Sequence, residues 1–248
     1  MQGDISPLTL AVLEGESELV KNLISCQVDI NATSYVYDDT KRVWRRETAL
    51  ITASRLGHLE IVHLLIEAGA HLDVTDLSLG KSPLHWACNK NHGLVANELI
   101  RAGASINLRD YANETAVVEV IACRNELLFH ELLNNGLLLD ARLNYDRDTG
   151  LLFCMYMGQV RMALSFIQAG ADVNCLNTEG MDALYLTLEL SLPRDVMFVM
   201  CNTLVAAECA IRPDHLRRAQ NSCSHVENFL QNAATQPGKL SFLCRCAI

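Results

Sequence analysis

The sequence predicts an all-α repeat array of about six helix-pair repeats, joined by short β-hairpin loops and followed by a C-terminal helical segment. Three observations carry that prediction. First, the chain is self-similar at 33–34 residues. ETALITASRLGHLEIVHLLIEAGAHLDVTD (47–76) lies over KSPLHWACNKNHGLVANELIRAGASINLRD (81–110) without a gap, so Ala53 meets Ala87 and Gly69 meets Gly103, each 34 residues on. Second, each copy holds two short apolar stretches at helical spacing, as in Leu84, Ala87, Cys88 and then Leu94, Val95, Leu99, Ile100. Third, a glycine follows the second stretch at 69, 103, 136 and 170, where a helix ending in the left-handed region needs one. One helix pair is too thin to bury its own apolar faces. Neighbours must therefore stack, and stability becomes nearly a sum over adjacent interfaces.

The elements follow in order along the chain. The first copy spans 6–31, with Ala11 in the position of Ala53. From Ala11 to Ala53 is 42 residues, about eight more than the repeat, and the excess falls in a hairpin insertion over 33–46. There Tyr35, Val36, Tyr37 and Val43, Trp44 flank the turn residues DDTK. Aromatics interleaved with arginines are enriched where proteins bind, so Tyr35, Tyr37, Trp44, Arg45 and Arg46 are candidate target contacts. The competing reading is a solvated loop whose Trp44 folds back on the array. Copies at 47–76, 81–110, 113–140 and 148–174 follow, with turns marked by Gly57, Asn91 and Gly158. Leu50, Leu84, Val117, Leu151 and Leu184 should line the common core. The copy at 113–140 replaces the Gly-His turn by CRNELLFHELL but keeps the apolar spacing. A degraded copy spans 180–211, in which Pro193 breaks or restarts a helix. Residues 212–236 depart from the repeat. Ser224 with Glu227 has capping-box spacing, and Val226, Phe229, Leu230 and Ala233 form one stripe, so a single capping helix is expected there.

Composition limits the function. Half of the 248 residues are hydrophobic and 20% are charged, which excludes wholesale disorder. Aromatics are 6%, so aliphatic residues must build the core. The net charge of −9 argues against nucleic acid, despite the local cluster Lys41, Arg42, Arg45, Arg46. The N-terminal stretch MQGDISPLTLAVLEGE lacks a basic region followed by an apolar run, and no uncharged apolar stretch reaches 18 residues. The expectation is a protein of the cytoplasm, or of the nucleus as well, with no membrane contact. The ten cysteines contain no CxxC pair and are expected to be reduced thiols. Cys244 and Cys246, with one residue between them, have poor zinc spacing. No Ser/His, Cys/His or paired-acid constellation and no phosphate-cradling loop is visible, so no enzyme, cofactor or metal site is expected.

These copies resemble the ankyrin repeat family. The resemblance rests on Ser82-Pro83-Leu84-His85 with Ala87, on Gly57-His58 followed by Ile61-Val62 and Leu64-Leu65, and on Leu-Ile-x-Ala-Gly-Ala at 65–70 and 99–104. It implies an ankyrin-repeat solenoid, with His85 stabilising its turn by hydrogen bonds. Beyond Pro237-Gly238, residues Leu240, Leu243, Cys244, Ala247 and Ile248 fall on one helical face. The run from Gln236 through Leu240, Leu243, Cys244 and Arg245 to Ile248 resembles the opening of a SOCS box (237–248), and the layout resembles the ankyrin-repeat and SOCS-box family. That resemblance implies that Leu240, Leu243, Cys244 and Ile248 bind elongin C, with elongin B beside it, and that the array presents a protein substrate to a cullin–RING ubiquitin ligase. The family's box continues into a cullin-contacting segment that does not follow Ile248, so a fragment, a trimmed isoform or a receptor lacking the cullin half is expected. The alternative is a plain ankyrin scaffold or inhibitor without a ligase role.

Overall fold

The structure is a computed structural model that describes residues 5–38, 43–144, 146–190, 192–220 and 224–235, without the side chains of Asp38, Val43 and Ser224. Among the described residues, fourteen helices form seven pairs, with one β-hairpin after the first pair. The chain divides into two units, residues 1–137 and 138–248. The first unit holds α1 (Pro7–Glu14) with α2 (Ser17–Ser25), the strands β1 (Thr33–Asp38) and β2 (Val43–Thr48), α3 (Ala49–Leu56) with α4 (Leu59–Glu67), α5 (Pro83–Asn89) with α6 (Gly93–Arg101), and α7 (Ala116–Ala122) with α8 (Glu126–Asn134). The second holds α9 (Gly150–Tyr156) with α10 (Val160–Gln168), α11 (Ala183–Glu189) with α12 (Arg194–Ala206), and α13 (Pro213–Gln220) with α14 (Ser224–Thr235).

Within the first unit the leading helices stack in the order α1, α3, α5, α7, and the following helices in the order α2, α4, α6, α8. In the second unit α9, α11, α13 and α10, α12, α14 do the same. Leu50, Leu84 and Val117 are buried in the first stack, and Leu151 and Leu184 in the second. Each fully buried leucine contributes about 1.5–3 kcal/mol, so a few per interface hold neighbouring pairs together.

Local chemistry sets the helix boundaries. Ser6, Thr48, Ser82, Thr149 and Asp182 each cap a leading helix by accepting a backbone N–H bond. Ser82 and His85 form a reciprocal capping box. The His85 Nδ1 accepts from the Ser82 backbone N–H at 3.4 Å, and Nε2 donates to the Glu114 carbonyl at 3.3 Å, tying one repeat to the next. Burial holds this imidazole below its ordinary pKa, in the neutral form that this donor–acceptor pattern requires. The turn inside each of the first two pairs is left-handed at Gly15 and Gly57, and a Cβ on Gly57 would meet the His92 ring at 2.7 Å.

The end of the array corrects one expectation. Residues 212–236 hold two helices, α13 and α14, and complete a seventh pair instead of a lone cap. Arg212-Pro213-Asp214-His215 is a degenerate version of Ser82-Pro83-Leu84-His85. The Arg212 N–H donates to His215 Nδ1 at 3.1 Å, as that of Ser82 does to His85. Arginine in place of the capping serine hides the motif in the sequence. Val226, Leu230 and Ala233 are buried as the stripe predicts, while Phe229 is half-buried and meets the exposed Phe198 edge-on. Pro193 stands at the N-cap position of α12, without a side-chain capping bond, and α12 runs 13 residues where α10 runs 9.

The last two pairs are joined by a polar cluster around the buried Asp182. Asp182 lies 3.1 Å from His215 Nε2 and 2.8 Å from Arg212 Nη2. Burial alone would push the Asp182 carboxyl up, but the bond from His215, the Tyr185 amide and the Arg212 charge outweigh it and hold the group below its ordinary value. A carboxyl lowered on folding stabilises the fold above its unfolded value, and that stabilisation disappears as the pH falls through the folded one. Asp182→Asn should lower stability by about 2 kcal/mol at pH 7. In urea unfolding the gap from wild type should narrow as the pH falls below the ordinary value of 3.8.

Candidate protein-interaction surface

The hairpin is built by strand alternation. β1 and β2 pair antiparallel, with Ser34 opposite Glu47, Tyr35 opposite Arg46, Val36 opposite Arg45 and Tyr37 opposite Trp44. Successive side chains leave opposite faces of a strand, so these pairs divide between two faces. Ser34, Val36, Arg45 and Glu47 are buried, whereas Tyr35, Tyr37, Trp44 and Arg46 are exposed.

The buried face anchors the hairpin to three successive helix pairs. Ser34 Oγ accepts from the Ser6 N–H and from the Thr9 hydroxyl, each at 3.0 Å. Glu47 Oε1 accepts from the Thr52 hydroxyl at 2.9 Å and from Arg55 Nη2 at 2.7 Å. The Arg45 guanidinium lies 4.5 Å from the centre of the Trp86 ring in α5. Trp86 in turn donates to Asp76 Oδ2 at 2.9 Å. A desolvated cation on an indole face is worth about 2 kcal/mol. With 2% of its surface exposed, Arg45 is an internal anchor. The sequence grouped Arg45 with Arg46 as a target contact. The structure corrects that assignment, because adjacent strand residues face opposite ways.

The exposed face brings the other four candidates together. The Tyr37 and Trp44 rings lie 5.1 Å apart, and Trp44 keeps 47% of its surface open to solvent. Arg46 Nε donates to Thr33 Oγ1 at 2.9 Å, with its guanidinium 6.0 Å from the Tyr35 ring centre. Lys41 and Arg42 lie outside the described residues, as do Leu240, Leu243, Cys244, Cys246 and Ile248.

The exposed face extends into loops that the sequence reading passed over. The Leu77 N–H donates to the Arg46 carbonyl at 3.2 Å, and the Tyr111 N–H donates to the Leu79 carbonyl at 2.9 Å. The hairpin, the loop at 76–80 and the loop at 110–113 are thus knitted edge to edge. Leu77, Leu79 and Tyr111 are all exposed along this row. The Tyr111 ring lies over Gly80, where a Cβ would come within 2.5 Å of it. The available signal was an apolar residue inside an Asp-led turn, Asp76-Leu77-Ser78-Leu79-Gly80 and Asp110-Tyr111, where polar residues are usual.

Among the described residues no cluster of three or more His, Cys, Asp or Glu is placed to hold a metal ion. Burial pushes the Cys88 and Cys154 thiols far up, and Cys209 to about 12, which leaves them protonated and poor nucleophiles at neutral pH. Among the described residues no helix is long and apolar enough to cross a membrane.

A family model described as ankyrin repeats, in three copies, matches residues 8–110. Residues 8–110 carry ankyrin repeats. The ankyrin repeat domain of Bcl-3, in its crystal structure, superposes with a TM-score of 0.73 over 92% of this chain and 98% of that one, at 21% identity, which establishes the fold. Among curated proteins, the chain is 31% identical over 141 residues to an L-asparaginase of Dirofilaria immitis, covering 56% of this chain and 23% of that protein. It is 36% identical over 90 residues to the probable E3 ubiquitin-protein ligase XBOS32 of Oryza sativa subsp. japonica, covering 36% of this chain and 16% of that protein. The matched stretches span less than a quarter of the length of either relative. Ankyrin repeats are protein-interaction modules.

The two arginines should separate in a stability measurement. Arg45→Ala is expected to cost about 2 kcal/mol or more in urea unfolding, through the lost contact with Trp86. Trp44→Ala and Arg46→Ala, on the open face, should stay within about 1 kcal/mol of wild type.

Proposed function

We propose that this protein is a non-catalytic substrate receptor. Its ankyrin array holds a target protein, and its C-terminal segment holds elongin C with elongin B, for ubiquitination of the target by a cullin–RING ligase in the cytoplasm or nucleus. The observation that carries this reading is Leu240-x-x-x-Cys244-x-x-x-Ile248 following directly on an ankyrin array. The spacing of Leu240, Leu243, Cys244 and Ile248, at i, i+3, i+4 and i+8, is that of a helix entering a partner groove by one apolar face. In that mode Leu240 fills an apolar pocket and Cys244 a tight one. The rice relative, a probable E3 ubiquitin-protein ligase, is in keeping with this reading. Target binding is assigned to Tyr35, Tyr37, Trp44 and Arg46, with Leu77, Leu79 and Tyr111 extending the surface. Buried Arg45 supports it from below.

Co-purification of tagged chain with elongin B and elongin C tests the assignment. Wild type should recover both, and Leu240→Ala with Cys244→Ala should reduce recovery by about tenfold or more, given a buried side chain worth 1.5–3 kcal/mol. Tyr37→Ala with Trp44→Ala should leave elongin recovery unchanged. Failure to recover elongins, with no effect of the tail substitutions, would leave a plain ankyrin scaffold.

A further inference from the structure

We propose that the hairpin row binds an extended acidic segment of the target protein, one of whose carboxylates sits on the Arg46 guanidinium between apolar anchors. This rests on the reading of that face as the target-contacting surface and specifies what it takes.

The geometry of Arg46 is the first support. Its Nε is held by Thr33 Oγ1 at 2.9 Å, and its guanidinium lies 6.0 Å from the Tyr35 ring, so the group is oriented before any partner arrives. Among the described residues neither Nη is hydrogen-bonded. A planar fork with both outer nitrogens open matches a carboxylate through two parallel N–H bonds, and its orientation is already fixed.

The charge of the row is the second support. The acids in the two loops along it face inward. The Asp76 carboxylate accepts from the backbone N–H groups of Ser78, Leu79 and Lys81 and from the Trp86 indole, and Asp110 accepts from those of Ala112 and Glu114. Both are buried, so neither competes for Arg46. The chain's net charge of −9 opposes an acidic ligand at long range, but salt screens charges beyond about 8 Å at physiological ionic strength, so the local contact decides.

The shape of the row is the third support. Three backbone segments run side by side and present apolar side chains outward: Tyr37 and Trp44 on the hairpin, Leu77 and Leu79 on the next loop, Tyr111 on the third. Packed helices repeat at about 8–10 Å, and an extended chain advances about 3.3 Å per residue. Ligand anchors on successive segments should therefore fall about three residues apart.

Fluorescein-labelled heptapeptide pools test this on the full chain. Each pool has apolar residues at its second and fifth positions, three apart, with Glu, Gln or Lys fixed at the third position between them. The Glu pool should bind about tenfold more tightly than the Gln pool by fluorescence anisotropy, and the Lys pool should be weakest. Arg46→Met should remove the Glu preference without changing the thermal melting profile, and Trp44→Ala should weaken all pools together. Equal binding of Glu and Gln pools, a preference that survives Arg46→Met, or displacement by a single-stranded oligonucleotide would overturn the acidic partner. Parity between Glu and Gln with a signal still sensitive to Trp44→Ala would leave the face itself in place. Binding equal on wild type and Trp44→Ala would remove that face from target contact altogether.

Discussion

Stacking of side chains between neighbouring helix pairs is the interaction on which the rest of this structure depends. A leading helix of eight residues and a following helix of nine, such as α1 and α2, enclose no core between them. Leu8, Leu50, Leu84 and Val117 leave water only because α1, α3, α5 and α7 lie side by side. That condition fixes the start of each helix as well. A leading helix must begin at the same height as its neighbour, and hydroxyl or carboxylate caps recur at Ser6, Thr48, Ser82, Thr149 and Asp182 to hold it there. The histidine bridge from His85 to the Glu114 carbonyl serves the same registration across the interface.

A stack of this kind needs only one face of each connecting loop, and the other face can stay open to solvent. Here the longest connection is a hairpin whose inner face is tied to three helix pairs through Ser34, Glu47 and Arg45. Because that inner face is held, the outer face can carry Tyr37, Trp44 and Arg46 without collapse onto the array. The adjacent loops extend the same surface by backbone hydrogen bonds, and their carboxylates serve their own turns. The result is an apolar, cationic strip on a molecule of acidic overall charge.

Much of this was legible from residues alone. The 34-residue spacing, the glycines at 69 and 103 and the Ser-Pro-Leu-His turn are local requirements of the backbone, and each appears as a residue at a fixed place. The seventh pair was not legible, because Arg212 replaces the capping serine and the bond that matters is made by a backbone N–H that any residue supplies. Nor were Leu77, Leu79 and Tyr111, since an apolar residue in a turn means nothing until its neighbours are known.

The sequence by itself determined the repeat, the helices within it, the place of the hairpin insertion and the aromatic character of that insertion, since periodicity, capping and turn chemistry act over a few residues. Only the tertiary structure decided which hairpin side chains face outward. Arg45 and Arg46 are chemically identical neighbours, and docking of one strand face against α5 buried the first over Trp86 and left the second open. The joining of three separate loops into one row was likewise decided by stacking, because it depends on contacts between residues a full repeat apart.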